Sequence, residues 1–210
     1  MQLAGDLVLP TDALGLVVFA HGSGSSRHSP RNRFVAEVLQ SRGLATLLLD
    51  LLTETEAGDR RHVFDIPLLA RRLAEAINAC HAELPLQSLR LGLFGASTGA
   101  AAALVAAAAQ PDRVAAVVSR GGRPDLAGSA LPKVRAPTLL IVGGADDIVL
   151  QLNRAALSDL TCHAQLHVVP GATHLFEEPG TLEAVAALAA DWFVRYLGRR
   201  AGVPDEQGTR

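Results

Sequence analysis

The sequence predicts a doubly wound α/β fold with a mostly parallel sheet of about seven strands. Continuously apolar runs of strand length alternate along the chain with longer runs of helical periodicity. Strands that are apolar throughout are typical of parallel sheets that are buried on both faces. The 210 residues fit one domain, which we place at residues 1–198. We expect residues 199–210, which are polar with glycine and proline, to form a flexible tail.

Seven apolar runs are the predicted strands, and the loops that follow them are the first candidates for a functional site. The runs are residues 7–9, 15–20, 45–49, 89–94, 114–118, 138–142 and 164–169. The first is short and is expected at an edge of the sheet. In a doubly wound sheet, the ligand crevice lies beyond the carboxyl ends of the strands.

Five further runs are the predicted helices: residues 30–42, a run that begins after Asp65, and residues 100–109, 151–160 and 181–197. Asp65 can cap the second helix, and Pro67 suits its first turn. The apolar residues of this helix form one stripe, so we expect Arg72 to face solvent on the opposite side. The stripe consists of Leu69, Leu73, Ala76, Ile77 and Cys80.

Composition and charge argue against several classes of function. A formal net charge of −2 gives no electrostatic basis for binding nucleic acid. No apolar run is long enough to span a bilayer, and the first ten residues lack the basic segment of a secretory signal. Neither the cysteines nor the histidines have metal-binding spacing. We therefore expect a cytoplasmic protein without metal, cofactor, nucleic-acid or membrane partner, and either a monomer or a homodimer.

The most informative segment is Gly95-Ala96-Ser97-Thr98-Gly99, a Gly-x-Ser-x-Gly motif. It stands between a predicted strand and a predicted helix, which is the context of a nucleophile elbow. The two glycines leave room for a sharp turn and for the helix to pack against the strand. Such a turn holds a serine hydroxyl where a substrate can reach it. We therefore predict that Ser97 is the nucleophile of a hydrolase.

A serine nucleophile needs a base to take its proton, and the base needs an acid to orient it. Where a nucleophile elbow is used, these residues follow in the order serine, acid, histidine. Asp146 and Asp147 follow the sixth predicted strand, and His174 follows the seventh. His174 would then contact Ser97 through one ring nitrogen and a carboxylate through the other. Two other aspartates that follow strands are weaker candidates, namely Asp50 and Asp125.

An acyl-transfer site also needs backbone N–H groups that stabilise the negative charge on the former carbonyl oxygen. One donor is expected at Thr98, directly after the nucleophile. The other is expected in the glycine- and serine-rich loop after the second predicted strand, at Ser23, with Gly24 as the near alternative. We expect His21, which begins this loop, to have a structural role in holding it by hydrogen bonds.

These motifs resemble those of the α/β-hydrolase superfamily, and within it the small single-domain members grouped with dienelactone hydrolases. The resemblance runs from about residue 15 to residue 197. The superfamily segment Gly-x-x-Asp-x-x-Val matches residues 143–149 and implies Asp146, rather than Asp147, as the acid. The segment Gly-x-x-His-x-Phe matches residues 171–176 and implies His174 as the base.

Dienelactone hydrolases use cysteine as the nucleophile, whereas this chain has Ser97, which favours the cleavage of ordinary esters. The prediction is therefore a serine hydrolase of small carboxylic esters that works through an acyl-enzyme. The same machinery serves thioesterases and lactonases, which remain alternatives. A non-catalytic binding module on a hydrolase fold is a further alternative.

Two short loops bear on the substrate. Residues 53–63, and those between 118 and 137, are too few to form a helical cap domain, so we expect a minimal lid and an open site for short acyl groups. The second loop contains Arg120 and Arg123, and either could hold a substrate carboxylate or instead pair with surface acids.

Overall fold

The structure of the protein, a computed structural model, describes residues 3–198 and confirms the predicted fold. The strands are β1 (Gly5–Val8), β2 (Leu16–Ala20), β3 (Ala45–Leu49), β4 (Leu91–Ala96), β5 (Val114–Arg120), β6 (Thr138–Gly143) and β7 (Ala164–Val169). They form one seven-stranded sheet in the order β1-β3-β2-β4-β5-β6-β7. Strand β1 pairs antiparallel with β3, and all other neighbours are parallel. The predicted tail, residues 199–210, lies outside the described residues.

Helices cover both faces of the sheet. They are α1 (Pro30–Ser41), α2 (Glu54–Ala57), α3 (Arg60–Val63), α4 (Ile66–Ala82), α5 (Thr98–Ala109), α6 (Asp147–Asp159) and α7 (Thr181–Leu197), with short 3₁₀ segments at Leu86–Ser88 and Pro124–Lys133. Helices α1 and α7 bury one face, where Phe19, Phe94 and Phe193 fill the core. Helices α4, α5 and α6 bury the other face. No helix of the described chain is long and apolar enough to cross a membrane.

The strand order reverses between β2 and β4. From β2 the chain moves outward to β3 and then returns to β4 on the other side of β2. Ala20 at the end of β2 pairs with Gly95 near the end of β4. Ligand crevices of doubly wound sheets form at such a reversal. It brings the loop that begins at His21 next to the turn at Ser97.

Some element boundaries differ from those predicted. The edge strand expected at residues 7–9 is found at Gly5–Val8, because pairing with β3 extends it to a contact between Gly5 and Leu49. Helix α6 begins at Asp147 instead of residue 151, since Leu150 N–H donates to the Asp146 carbonyl at 2.8 Å and closes an earlier turn. The expected loop 53–63 forms helices α2 and α3, of four residues each.

Arg72 does not face solvent, so the expectation from helical periodicity was wrong. Its side chain is 8% exposed and donates to the Leu51 carbonyl at 2.8 Å. The two terminal nitrogens each lie 2.7 Å from a carboxylate oxygen of Glu56, on α2. This hydrogen bonding lowers the pKa of Glu56 to about 2. An arginine can lie among apolar residues when its head group is paired, and here it ties α2 to α4.

We predict that Arg72→Met lowers the free energy of unfolding by about 2 kcal/mol at pH 7, because it removes charge-assisted hydrogen bonds to Glu56 and Leu51. Chemical denaturation measures this loss, and Arg71→Met, at the exposed neighbouring position, is the matched control. The pKa of Glu56 is lower in the folded chain than its ordinary value of 4.5. The contribution of the pair is therefore present above about pH 4.5 and is lost as the pH falls toward 2. Equal stability of both variants would contradict this role.

Candidate active site

Ser97 forms the turn between β4 and α5. Its backbone has φ 50° and ψ −123°, a conformation that costs a non-glycine residue about 1–3 kcal/mol. Backbone hydrogen bonds hold it there, because Ser97 N–H donates to the Arg120 carbonyl at 3.4 Å. The Ser97 carbonyl in turn accepts from Arg123 N–H and Ala100 N–H, both at 3.1 Å. The side chain is partly exposed at the carboxyl edge of the sheet, as expected for a nucleophile elbow.

The glycines around Ser97 permit a very close approach of backbones. A Cβ atom on Gly99 would lie 2.1 Å from the Ala20 carbonyl oxygen, and one on Gly95 would lie 2.4 Å from the Cα of Ala100. A Cβ on Gly22 would lie 2.7 Å from the Cβ of Ser97. The loop after β2 is therefore in direct contact with the elbow.

His174 and Asp146 lie in the loops that follow β7 and β6. His174 Nδ1 is 2.7 Å from Asp146 Oδ2, and Asp146 is largely buried. Asp147 begins helix α6 and is exposed. The loops meet closely, since a Cβ on Gly143 would lie 2.3 Å from the Ala172 carbonyl oxygen. The structure thus joins His174 to Asp146, the preferred acid, and not to its neighbour.

The histidine loop also reaches the segment that holds Ser97. The Arg120 carbonyl accepts the Ser97 N–H, and a Cβ on the next residue, Gly121, would lie 3.6 Å from His174 Nδ1. Within residues 3–198 the Ser97 hydroxyl makes no hydrogen bond, including none to His174. Catalytic hydrogen bonds are often long without substrate and tighten when it binds.

The loop after β2 lies against the first turn of α5, where oxyanion donors are predicted. Ser23 N–H donates to the Thr98 hydroxyl at 3.1 Å. Thr98 N–H is at the first position of α5 and therefore has no acceptor inside the helix. The backbone N–H of Gly24, at φ 69°, has no partner among the described residues. Two of the three candidate donors are thus unengaged, and the Ser23 donor is shared with a hydroxyl.

Asp50, at the end of β3, anchors this loop. Its carboxylate accepts from Arg27 N–H at 2.7 Å and pairs with the Arg27 guanidinium. This pairing raises the pKa of Arg27. His21 Nε2 lies 3.4 Å from Asp50, and His21 Nδ1 is 3.1 Å from the Gly22 carbonyl. Asp50 and Arg27 thus hold the loop, whereas His21 Nε2 is buried without a hydrogen-bond partner, so the expected structural role of His21 stays a prediction. Asp50 forms no hydrogen bond or ion pair with His174.

Two further anchors were not predicted from the sequence. Glu178 accepts from the Thr173 backbone N–H at 3.1 Å and the Thr173 hydroxyl at 2.7 Å, which shapes the loop that carries His174. These bonds lower the pKa of Glu178. The buried Asn153, on α6, donates to the Gly122 carbonyl at 2.9 Å. Each anchor is a contact across a turn or between elements, for which the sequence has no periodic signal.

The two arginines after β5 have different environments. Arg123 forms a two-pronged pair with Asp125, with distances of 2.8 and 2.7 Å. This pair raises the pKa of Arg123. Arg120 is buried, and its side chain is directed toward α1. Of the two expected anion-binding candidates, Arg123 is therefore already paired.

A small apolar cavity opens beside the loop after β2, with a volume of about 320 Å³. Leucine and valine side chains from the β3–α4 region form its floor, so α2 and α3 contribute a wall to the site. The polar side is the backbone of the loop that carries Ser23. Apolar lining residues are Leu51, Leu52, Ala57, Val63 and Leu69.

Neither cysteine is an activated nucleophile. Burial raises the pKa of the thiols of Cys80 and Cys162, which disfavours the reactive thiolate. Within residues 3–198, no group of three or more histidine, cysteine, aspartate or glutamate side chains is placed to hold a metal ion.

The fold and the elbow define an α/β hydrolase. The sequence model of the alpha/beta hydrolase domain family matches residues 13–188. The chain belongs to this superfamily.

Known proteins similar to this chain are named either as hydrolases or as a phosphoribosyl transferase. A dienelactone hydrolase from Anabaena variabilis is 60% identical, with a TM-score of 0.91 over 94% of this chain and 93% of that one. A Mycobacterium tuberculosis protein, provisionally named a phosphoribosyl transferase, is 62% identical over 94% of this chain but only 44% of its own length. This chain thus spans less than half of that relative. A Xanthomonas campestris serine hydrolase without a lid shares the fold at 24% identity, with a TM-score of 0.75 over 96% of this chain and 91% of that one.

We predict that Gly99→Ala lowers the free energy of unfolding by about 3 kcal/mol or more, because the new methyl group would overlap a backbone oxygen that cannot move aside. Gly58→Ala is the control, since its Cβ would lie 3.5 Å from the nearest atom, the Thr55 carbonyl oxygen. That variant should change stability by less than about 0.5 kcal/mol. Thermal and urea unfolding measure both effects, and a stable, unaltered Gly99→Ala protein would argue against the close packing of α5.

Proposed function

We propose that the protein is a serine hydrolase that cleaves small carboxylic esters through an acyl-enzyme intermediate. The observation that carries this proposal is the 2.7 Å contact between His174 Nδ1 and Asp146 Oδ2, in a loop that also approaches Gly121, the residue after the one whose carbonyl accepts the Ser97 N–H. Ser97 is the nucleophile, His174 the base and Asp146 the orienting acid. The chain order and the local structures are those that this chemistry requires.

In the first half of the reaction, His174 Nε2 takes the proton of the Ser97 hydroxyl while Oγ attacks the ester carbonyl carbon. The carbonyl oxygen becomes an oxyanion, which accepts hydrogen bonds from Thr98 N–H and from Ser23 N–H or Gly24 N–H. His174 then gives its proton to the departing alcohol oxygen as the ester bond breaks. Asp146 stabilises the imidazolium that exists between these two transfers.

In the second half, water attacks the acyl-enzyme carbonyl and gives a proton to His174. The bond to Ser97 Oγ then breaks, the proton returns to that oxygen, and the carboxylic acid leaves. The anchored loops support these reaction steps, because catalytic groups must be held close to their productive geometry. Asp50 holds the loop that supplies an oxyanion donor.

The names of the relatives bear on the substrate. The provisional name of the mycobacterial relative belongs to a protein more than twice the length of this match, whereas the matched part of this chain contains the turn at Ser97. We therefore propose hydrolysis and not phosphoribosyl transfer for this chain. The name of the Anabaena relative favours a lactone as a second substrate class. A lactone is a cyclic ester, so the steps above would open it.

The shape of the site favours short acyl groups. The apolar cavity of about 320 Å³ is at the small end of the range for ligand pockets, about 300–1,000 Å³. Its wall is made by α2 and α3, and α2 is tied to α4 by Glu56 and Arg72. A long acyl chain would have to leave this cavity and lie in water.

We predict that the protein reacts covalently with a fluorophosphonate probe and that Ser97→Ala abolishes the reaction. Ester hydrolysis should fall at least about a thousandfold in that variant, as when a catalytic serine is removed from other hydrolases. Intact-mass spectrometry measures the mass added by the probe, and tandem mass spectrometry of the digested protein gives the labelled residue. Ser119→Ala is the control. Ser119 is fully buried and should not react with the probe, so this variant should label as the wild type does. A wild-type protein that neither labels nor hydrolyses any ester would favour a non-catalytic binding module.

We predict that kcat/KM is at least about tenfold higher for 4-nitrophenyl butyrate than for the palmitate ester, because the cavity cannot enclose the longer chain. Both esters are measured below their critical micelle concentrations. Widening the cavity with Val63→Ala should narrow this ratio. Comparable rates on the two esters in the wild type would contradict an acyl pocket of this size.

A further inference from the structure

Arg120 is a buried cation without a counter-charge. Its side chain is 8% exposed, and Nη2 makes a long contact of 3.4 Å with Asn32 Oδ1. Nε and Nη1 are buried and have no hydrogen-bond partner. Among the described residues, no carboxylate lies within 4 Å of this guanidinium. An isolated buried charge is costly unless it is paired, so this group has unused capacity for an anion.

A second arginine, Arg31, directly precedes the Asn32 that contacts Arg120. Arg31 also has a buried Nε without a partner, and it acts with burial to lower the pKa of Arg120 to about 10. Arg120 therefore stays charged at neutral pH, next to a like charge. The one carboxylate contact of Arg31 within residues 3–198 is with the exposed Glu177, at 3.3 Å, and an exposed pair of this kind is weak. The repulsion between the two arginines would be relieved by an anion between them.

The first turn of α1 adds a third source of positive potential. Arg31 and Asn32 belong to this turn, which has no acidic residue, and Ser29 caps it by accepting from Asn32 N–H. The amino end of a helix of this length carries partial positive charge. Through its contact with Asn32, the Arg120 guanidinium thus lies beside this turn.

We propose that Arg120, Arg31 and Asn32 form a site for an oxyanion group, a carboxylate or a phosphate, carried by the substrate of Ser97. This inference rests on the proposed hydrolase function. The site is connected to the nucleophile through the backbone, because the Arg120 carbonyl accepts the Ser97 N–H. Glu177, which contacts Arg31, lies three residues after His174. Guanidinium groups suit planar carboxylates and tetrahedral phosphates through paired N–H donors.

Arg31 is the outer member of the site. Its side chain is 34% exposed, whereas Arg120 is buried. An incoming anion would replace Glu177 as the partner of Arg31 and would approach the unpaired donors of Arg120. Arg123 is the weaker candidate, since Asp125 already accepts from its Nε and Nη2.

The kinetic test compares three 4-nitrophenyl esters of similar length: neutral butyrate, the succinate half-ester with a free carboxylate, and the 3-phosphonopropionate ester. Arg31→Gln should lower kcat/KM for the charged esters about tenfold, mainly by raising KM. A tenfold change corresponds to the loss of about one charge-assisted hydrogen bond. Arg31→Gln should change the butyrate rate less than twofold. Arg42→Gln, a matched loss of charge at the far end of α1, should leave all three rates within about twofold. Whether the carboxylate or the phosphonate arm shows the larger effect identifies the anion.

The binding test separates this inference from the proposed function. Inorganic phosphate and monomethyl succinate should raise the Tm of the Ser97→Ala protein at constant ionic strength, and adding Arg31→Gln should remove the shift. Arg31 is partly exposed, so this variant should fold even if Arg120→Gln does not. If Arg31→Gln lowers kcat/KM equally for the neutral and charged esters, and the anions do not shift the Tm, the anion site is overturned. The proposed ester hydrolysis is not affected by that result. A shift in Tm in a protein that hydrolyses no ester overturns the hydrolase function and keeps the anion site.

Discussion

The close approach of helix α5 to strands β2 and β4 is the constraint on which the site depends. Gly99 lets the helix backbone touch the carbonyl oxygens of Ala20 and His21, and Gly95 lets β4 turn into the helix without a gap. This packing requires an unusual backbone conformation at Ser97, with a φ of 50°. The contacts between the sheet and the helix offset the energetic cost of that conformation. It also places the amino end of α5, with Thr98, beside the serine.

Polar side chains anchor the loops at this edge of the sheet, in addition to apolar packing such as that of Phe176. Asp50 holds the loop after β2, Glu178 the loop of His174, and Asn153 the segment after β5. Each anchor satisfies backbone groups that would otherwise need water. A site built from short loops can thus be rigid without a cap domain. The pair of Arg72 and Glu56 likewise anchors α2, one of the small helices that wall the cavity.

The sequence was informative wherever a local rule applies. Apolar runs located the strands, and the residues after them included Ser97, Asp146 and His174 because parallel strands end at one edge of the sheet. Helical periodicity failed for Arg72, since a stripe of apolar residues does not show that a charged neighbour has a buried partner on another helix. The roles of Asn153 and Glu178 depend on long-range or turn-specific contacts. Local patterns cannot distinguish Arg120 from Arg123, although one is buried and unpaired and the other is paired with Asp125.

The two sides of Ser97 differ in a way that constrains any extended ligand. The apolar cavity, with Leu51 and Leu69, lies on the face of the sheet covered by α4. Arg120 is directed to the opposite face, where α1 begins. Ser97 stands at the sheet edge between them. A molecule that uses both sides must cross this edge with its scissile bond at Ser97, so one half would be short and apolar and the other anionic. A symmetric apolar ester would leave the buried charge of Arg120 without a counter-ion, at an energetic cost that an anionic ester would remove.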